Sequence, residues 1–365
     1  MSTNLKKTAI IFFICLGGFF SLLSANNLNL TYEKITSIDG TPWGMDFVSE
    51  QKLLITAKNG KVYLYDFKTN NIKTIYTPRD VLAYGQGGLL DIKVLNHDSK
   101  TWVYFTYSKN INNKGATTLA RALYKDEKIF SWEDLFVSKS ISSENIHYGS
   151  RIAFDERGHL FFTIGDRGNR DNAQNLKNHA GSVIRLNLDG TIPKDNPFVG
   201  DGTALDAIYS YGHRNPQGIF YDKEANQLWS IEHGPRGGDE INLVKKGLNY
   251  GWPVVSYGKE YWAPIQVGES THKEGMQQPI KQFTPSIAPS SLIRYKGDKI
   301  KKLENRFLAG ALKLKHINIT TLKNSKLVNE KRVFKSLNQR IRNIIQSKEG
   351  NLYFSTDKGH IYTIK

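Results

Sequence analysis

The stretch Lys52-Leu-Leu-Ile-Thr-Ala-Lys-Asn-Gly-Lys-Val-Tyr-Leu-Tyr-Asp66 decides the fold. Two short runs of aliphatic and aromatic residues flank Asn59-Gly60. That pair predicts a hairpin closed by a type I′ turn, because such a turn needs positive φ at both central residues. The same strand, turn, strand unit returns along the chain. It is seen in Gly158-His-Leu-Phe-Phe-Thr-Ile-Gly165 with Gly181-Ser-Val-Ile-Arg-Leu-Asn-Leu-Asp-Gly190, and in Gln227-Leu-Trp-Ser-Ile-Glu232 with Glu240-Ile-Asn-Leu-Val244. Further copies are Arg306-Phe-Leu-Ala-Gly310 with His316-Ile-Asn-Ile-Thr320, the run Thr101-Trp-Val-Tyr-Phe-Thr-Tyr107, and Asn351 to Ile364 at the C-terminus. Amphipathic helices are nearly absent, and the one helical expectation is a single turn over residues 132–136. Repeated four-strand units of about 40–60 residues are the signature of a β-propeller. A β-sandwich would need its usual domain of about 100 residues three times over, and no Pro/Gly/Ser linker divides the chain into thirds. The expected fold is therefore all-β, a six-bladed β-propeller in a single domain over residues 26–365.

Composition narrows the function classes. The 365 residues carry 50 Lys+Arg against 34 Asp+Glu, a formal charge of +16, with one cysteine. That charge invites a polyanion partner. The lysines are dispersed, however, as singles or pairs such as Lys245/Lys246 and Lys301/Lys302, and no nucleic-acid-binding pattern accompanies them. Nucleic acid is excluded as a partner, and one cysteine excludes a disulfide framework or a multi-cysteine metal site. At the N-terminus Lys6-Lys7 precedes an apolar stretch from Thr8 to Leu23 and a small-residue exit, Ser24-Ala25. Residues 1–25 are expected to be a secretory signal peptide, the rival being an uncleaved anchor helix. Removing them leaves 48 basic against 34 acidic residues, +14, and no cysteine, since Cys15 lies within the stretch. The mature chain is expected in the periplasm or secreted, with no membrane span.

Four places hold more polar chemistry than strands require. His147 and Arg151 stand directly before an apolar strand, and Asp166 opens a glycine- and charge-rich loop at the end of the next. A carboxylate beside a histidine fixes its tautomer and makes it a base near neutral pH; the plain alternative is a loop or core hydrogen-bonder. Tyr209 to Ile219 contains Gly212-His-Arg-Asn-Pro-Gln-Gly218, where Arg214 offers a rigid fork of donors to an anion or braces a blade corner. Glu232-His-Gly-Pro-Arg-Gly-Gly-Asp-Glu240, followed by Asn249-Tyr-Gly-Trp-Pro253, mixes carboxylates and exposed carbonyls of the kind calcium takes, although the spacing is not that of an EF-hand. Finally, Arg340 and Arg342 fall on one strand face and would repel unless an anion or an acid sits between them. They predict a cationic pocket for a carboxylate-bearing ligand, unless both are simply solvated. Gly85 to Asp91 is glycine-rich, but no helix with GK[ST] follows, so it is not a phosphate loop.

Six segments in order then carry a resemblance: Pro42-Trp-Gly-Met-Asp-Phe47, Gly85-Gln-Gly-Gly-Leu-Leu-Asp91, His147-Tyr-Gly-Ser-Arg151, Gly212 to Gly218, Glu240-Ile-Asn-Leu with Asn249 to Pro253, and Pro285-Ser-Ile-Ala-Pro289. From about Tyr32 to Lys365 the chain resembles the soluble, PQQ-dependent aldose sugar dehydrogenases of the glucose/sorbosone dehydrogenase superfamily. The resemblance implies a six-bladed propeller holding pyrroloquinoline quinone (PQQ) beside Ca²⁺, an aldose substrate and an external electron acceptor. It implies that His147 is the base for the anomeric hydroxyl, that Asp166 orients it, and that Arg214 lies near the reacting quinone oxygen with Asn215 beside it. Lys313, Arg340 and Arg342 would grip the quinone carboxylates, and Gln86 would lie near the sugar. Gly234 and Pro235 would give carbonyls to the active-site calcium, and Glu240 and Tyr250 would bind a second calcium. The chain departs from the pattern in two places: the glutamine after the Asp166 loop is Gln174 or missing, and Phe283 with Thr284 stands where an aromatic precedes the Pro-Ser-Ile-Ala-Pro run. Two rivals are a propeller that binds carbohydrate or protein without catalysis, and a lactonase. The latter lacks a central ring of carboxylates at strand starts.

Overall fold

Leu53, Leu54 and Ile55 are all completely buried, although consecutive strand residues face opposite ways. The reason lies in what each face meets. Leu53 and Ile55 pack with Met45, Ile345 and Tyr353, whereas Leu54 packs with Val62, Leu89 and Phe105 on the other side. Phe161 and Phe162 divide in the same way between two different clusters. A sheet apolar on both faces has to be covered on both faces, which a closed ring of sheets achieves.

The computed structural model describes residues 28–365 and shows that ring. Six four-stranded antiparallel sheets are each built in chain order except the last. The innermost strands are Pro42–Ser49, Leu89–His97, Ile152–Phe154, Pro216–Asp222, Pro289–Arg294 and Ile341–Gln346. Blades 1 to 6 are named after them in that order. An apolar cluster fills each of the six interfaces between blades. The outermost strand of blade 6 is N-terminal: Tyr32–Ser37 pairs antiparallel with His360–Ile364, Tyr32 opposite Ile364. This junction of the chain's two ends closes the ring, leaving each blade only a short outer edge strand.

One guanidinium ties the ring together at its centre. Arg151, at the entry to blade 3, donates to the carbonyls of Trp43 (3.1 Å), Gln217 (2.9 Å), Ser290 (2.6 Å) and Arg342 (2.9 Å) and to Asp91 Oδ1 (3.0 Å). It lies 3.9 Å over the Trp43 ring. These partners belong to the inner strands of the other five blades. Burial lowers its pKa to about 10, so it remains charged at neutral pH.

Two local expectations are corrected. The Asn59-Gly60 hairpin is not type I′: Gly60 has φ +100° but Asn59 is not in the left-handed region. Three residues separate Ala57 from Lys61, whose carbonyl accepts from the Ala57 amide at 2.8 Å, so the loop is the three-residue kind with glycine in the left-handed position. Residues 132–136 form no helical turn; they lie in the strand Lys128–Val137, where Trp132 packs on Phe105 and Tyr107. Pairing and packing within blade 2 override the local tendency there. The expected signal peptide, residues 1–25, lies outside the described residues. Among the described residues no helix is long and apolar enough to cross a membrane.

Candidate active site

His147 is held before its ring is considered. Its backbone has φ +54°, an unusual conformation for a residue with a Cβ, and its amide donates to Gln86 Oε1 at 2.9 Å. Such conformations persist where the surroundings impose them, and they gather at functional sites. The Nδ1 atom lies 2.6 Å from Asp166 Oδ1. Asp166 is almost fully buried, and its Oδ2 accepts from the Trp252 indole at 2.8 Å while Oδ1 also accepts from the Gly168 amide. With Nδ1–H given to this carboxylate, Nε2 is left as the acceptor. Burial holds the imidazole pKa below its usual value, aided by the nearby Arg214 charge, while Asp166 pulls it back up. Burial alone would raise Asp166, but the His147 contact overrides it and the carboxyl sits below its usual range. The pair is therefore a neutral histidine backed by an ionised aspartate.

Beside it is a cavity of about 280 Å³ whose wall includes Trp43, Lys58, Gln86, Tyr148, Asn215, Gln217, His233, Arg340, Arg342 and Asp357. Three cations face one carboxylate. Arg340 Nε donates to Asp357 Oδ2 at 2.7 Å, and Arg342 Nε donates to Oδ1 at 2.7 Å. The protein thus supplies the acid that lets the two arginines share one place. Lys58 has no carboxylate partner among the described residues; its Nζ donates to the Gly85 carbonyl at 2.5 Å. Burial and the Arg342 charge lower its pKa. Gly88, at φ +152°, permits the approach of this segment, since a Cβ there would overlap the Lys58 carbonyl. His233 Nε2 donates to the Pro289 carbonyl (2.6 Å), and burial takes its pKa down to about 3, so it stays neutral.

Arg214 belongs to a second, much smaller cavity. It has a volume of about 20 Å³ and is lined with Glu232, Gly234, Glu240, Tyr250 and Trp252. Arg214 Nη1 donates to the Gly234 carbonyl at 3.0 Å, and its guanidinium lies 5.3 Å over the Trp252 ring. Glu232 and Glu240 are cross-strand partners. Burial first, and then the Glu232 charge, pushes the Glu240 pKa up to about 8. A space fit for one small occupant between the buried Glu232 and the half-buried Glu240 suits a cation, which would offset that repulsion. The Tyr250 hydroxyl is already used, donating to the Leu243 carbonyl and accepting from the Lys245 amide, so only its carbonyl remains for a ligand role. The Pro235 carbonyl accepts from Ser286 Oγ at 3.0 Å, and like Gly234 O it keeps a second lone pair.

The structure brings together His147, Asp166, Gln86, Asn215, Arg340 and Arg342, and gathers Arg214, Gly234, Glu240 and Tyr250 next to them. It does not bring Lys313 to the cavity wall: that side chain is exposed, and its neighbour Leu312 lines the wall instead. Gln174 exchanges hydrogen bonds with Asn249 and donates to the Trp252 carbonyl, so it braces a loop. Phe283 is buried in the blade 4–5 core. Sequence reasoning missed Lys58, Asp357, His233 and the role of Trp252. Trp252 and His233 had a signal, in Asn-Tyr-Gly-Trp-Pro and in the Glu232 to Glu240 cluster; Lys58 and Asp357 sit in ordinary strand and turn sequence.

The family model described as Glucose / Sorbosone dehydrogenase matches residues 39–363. The chain is similar to "Uncharacterized protein slr1608" of Synechocystis, 36% identical over 88% of this chain and 83% of that one. It is 34% identical to "Aldose sugar dehydrogenase YliI" of Escherichia coli, covering 87% of each. It is 28% identical to "Quinoprotein glucose dehydrogenase B" of Acinetobacter calcoaceticus, over 86% and 82% of the two chains. Among solved structures, the apo-form of the soluble aldose sugar dehydrogenase of Escherichia coli superposes with a TM-score of 0.87 at 30% identity, covering 92% of this chain and 99% of that one. A six-bladed ring, the His147–Asp166 pair beside a cationic cavity, and a match over nearly all the described residues lead to one conclusion: this chain belongs to the glucose/sorbosone dehydrogenase family.

Proposed function

We propose that the protein oxidises aldose sugars at C1 to the lactone with PQQ and calcium, and passes the electrons to an external acceptor. The observation that carries this reading is the neutral, aspartate-backed His147 standing beside a cavity with three cations to one carboxylate. Two relatives, an aldose sugar dehydrogenase and a quinoprotein glucose dehydrogenase, support it.

His147 Nε2 takes the proton of the anomeric hydroxyl as the C1–O bond gains double-bond character. Asp166 stabilises the imidazolium that forms and keeps the ring in register through its bonds to Trp252 and Gly168. The quinone, when bound, supplies the acceptor for the hydride leaving C1. The sugar thus loses two electrons and two hydrogens, one as a proton to His147. Arg340, Arg342 and Lys58 would hold the quinone's carboxylates, Asn215 would form part of the wall, and Arg214 would face the reacting end. Gly234 and Pro235 would supply carbonyls to one calcium, and Glu240 with the Tyr250 carbonyl would supply oxygens to a second. Gln86 both lines the cavity and fixes the His147 backbone. Residues 1–25, read as a leader from their basic and apolar sequence, would take the protein to the periplasm or outside the cell, and N-terminal sequencing of the exported protein tests their removal.

The decisive assay adds PQQ and Ca²⁺ to purified apoprotein and follows dye reduction with a panel of aldoses. No cofactor-dependent reduction with any sugar would overturn the reading, and sugar binding without reduction would instead favour a non-catalytic propeller. Cofactor binding is read separately by absorbance titration. Lys58→Gln and Arg340→Ala are each expected to weaken PQQ binding by about 10- to 100-fold, the worth of a charge-assisted contact. Lys313→Ala should weaken it less. An unchanged Lys58→Gln titration would remove Lys58 from the site. Calcium should raise the thermal midpoint of the apoprotein relative to chelator, by mass action on the folded state. Glu240→Gln should lose most of that gain, and an equal gain in both would place the ion elsewhere.

A further inference from the structure

Two adjacent dipeptides pair crosswise at the cavity wall. His147 meets Asp166, and the residue that follows each of them, Tyr148 and Arg167, meets its opposite number as well. The Arg167 guanidinium lies 3.5 Å over the Tyr148 ring. His147 and Arg167 both have left-handed backbones, at φ +54° and +59°. For residues with a Cβ that conformation is costly, so the surroundings impose it twice within one pair of segments. The two segments also approach at the level of the backbone, since a Cβ on Gly165 would overlap the His147 carbonyl.

Arg167 is an unusual residue to bury. It is 1% exposed, and its Nη2 donates to the Glu144 carbonyl at 2.6 Å. Among the described residues Nε and Nη1 have no hydrogen-bond partner, no carboxylate forms an ion pair with the group, and the buried Tyr148 hydroxyl is likewise unpartnered. Burial lowers the Arg167 pKa, while Tyr148 and the Asp166 and Glu144 charges raise it again; the guanidinium stays charged. A buried cation with so few acceptors adds little to stability, because an apolar side chain of similar size is often as good or better. Its contacts, by contrast, bracket the reacting histidine: the Glu144 carbonyl lies before His147 in the chain and the Tyr148 ring after it. Tyr148 in turn packs with Trp43 and Leu90, lines the cavity, and accepts from Thr117 Oγ1 at its carbonyl (2.9 Å).

We infer that Arg167 is a positioning residue for the reaction: stacked on Tyr148 and bonded to the Glu144 carbonyl, it clamps the segment around His147 so that the imidazole stays against Asp166. This rests on the aldose-oxidation reading above. The segment needs such a clamp, because it lies between the strand that ends at Val137 and the one that starts at Ile152 and has no ladder of its own. A base carried on an irregular stretch would otherwise swing with its backbone, and a small displacement of a reacting group is expensive in rate. A planar guanidinium suits the task, since one face stacks on an aromatic ring while the N–H groups in its plane donate sideways. A lysine ammonium offers no such face. Arg167 follows Asp166 directly, so the same side chain fixes the carboxylate's segment to the histidine's.

The test uses holoenzyme reconstituted with PQQ and Ca²⁺ and the aldose that the wild type oxidises fastest. Arg167→Met should lower kcat by about 10- to 100-fold, the cost of misplacing a reacting group by about 1 Å, with little change in KM. Its thermal midpoint should stay close to that of the wild type, because the orphaned donors are gone. Arg167→Lys should behave like Arg167→Met, and Tyr148→Phe, which keeps the ring, should retain most of the turnover that Tyr148→Leu loses. In the apoprotein the downfield Nδ1–H proton resonance of His147, assigned by its absence in His147→Ala, should shift or broaden in Arg167→Met. Wild-type kcat together with an unchanged resonance would overturn the clamp, and so would full turnover in Arg167→Lys, which would leave only the charge at work. A large fall in the thermal midpoint of Arg167→Met would make Arg167 an ordinary core residue and overturn it too. If the wild type oxidises no aldose, the proposed function fails, and the His147 resonance still decides whether Arg167 holds the histidine.

Discussion

Arg151→Met is expected to destabilise the protein by about 3–5 kcal/mol, the usual cost of breaking a buried ion pair by removing one partner. Asp91 would be left buried beside methionine, and the carbonyls of Trp43, Gln217, Ser290 and Arg342 would each lose a charged donor. The urea midpoint of unfolding reads the effect. Pairing it with Asp91→Leu should recover part of the loss, because the unpaired carboxylate is gone while the carbonyls remain unsatisfied. A single-variant loss below about 1 kcal/mol would show that the six blades hold their centre without this guanidinium. The substitution also tests an effect on the site, since Arg342 gives Arg151 its carbonyl and the cavity its side chain. Cofactor titration of the variant should therefore weaken in proportion to the disorder introduced at that strand.

His147→Ala is expected to lower turnover by about 10²–10⁴-fold, the range for a positioned general base, while the PQQ titration stays within a few-fold of wild type. Parallel loss of both would make His147 a structural residue that merely holds the 147–150 turn. The pH profile gives a second readout. Burial and Arg214 lower the pKa of His147 from its ordinary value of 6.5. The base is lost only when the ring is protonated, so kcat/KM should rise with pH through a value below 6.5 and stay level above it. In Asp166→Asn the partner that raises this pKa is removed; the profile should move to lower pH, and the plateau should fall because the ring loses its fixed tautomer. A profile that moved to higher pH would contradict the assigned pairing.

Much of the site was visible in the sequence because its parts are local. His147, Gln86, Asn215 and Arg214 fall in glycine- and amide-rich stretches that have little reason to exist in a strand, and so they stand out as loops with chemistry. Lys58 and Asp357 give no such signal. Each lies near a hairpin turn, in sequence of a kind repeated across the chain, and only the closing of the ring puts blades 1 and 6 side by side. The paired arginines illustrate both sides of this. Their like charge implied an acid or anion between them, but whether protein or ligand would provide it depended on Asp357, some fifteen residues further along the next hairpin. Lys313 shows the converse: the resemblance implied a cavity cation, yet its side chain is exposed and Leu312 takes the wall position.

The sequence by itself determined the number of blades and their strand pattern. Consecutive apolar residues such as Leu53-Leu54-Ile55 require cover on both faces, and a closed ring of sheets provides it. It also marked His147 and Asp166 as a candidate pair, since both stand at strand ends, where polar residues have no core to satisfy. Only the tertiary structure decided which charges meet. Arg151 reaches five other blades, the N-terminal strand completes the last blade, and Lys58 joins Arg340 and Arg342 across hundreds of residues. These are long-range pairings fixed by ring closure rather than by any local preference, and electrostatic meaning depends on distance and burial, which a linear chain does not carry.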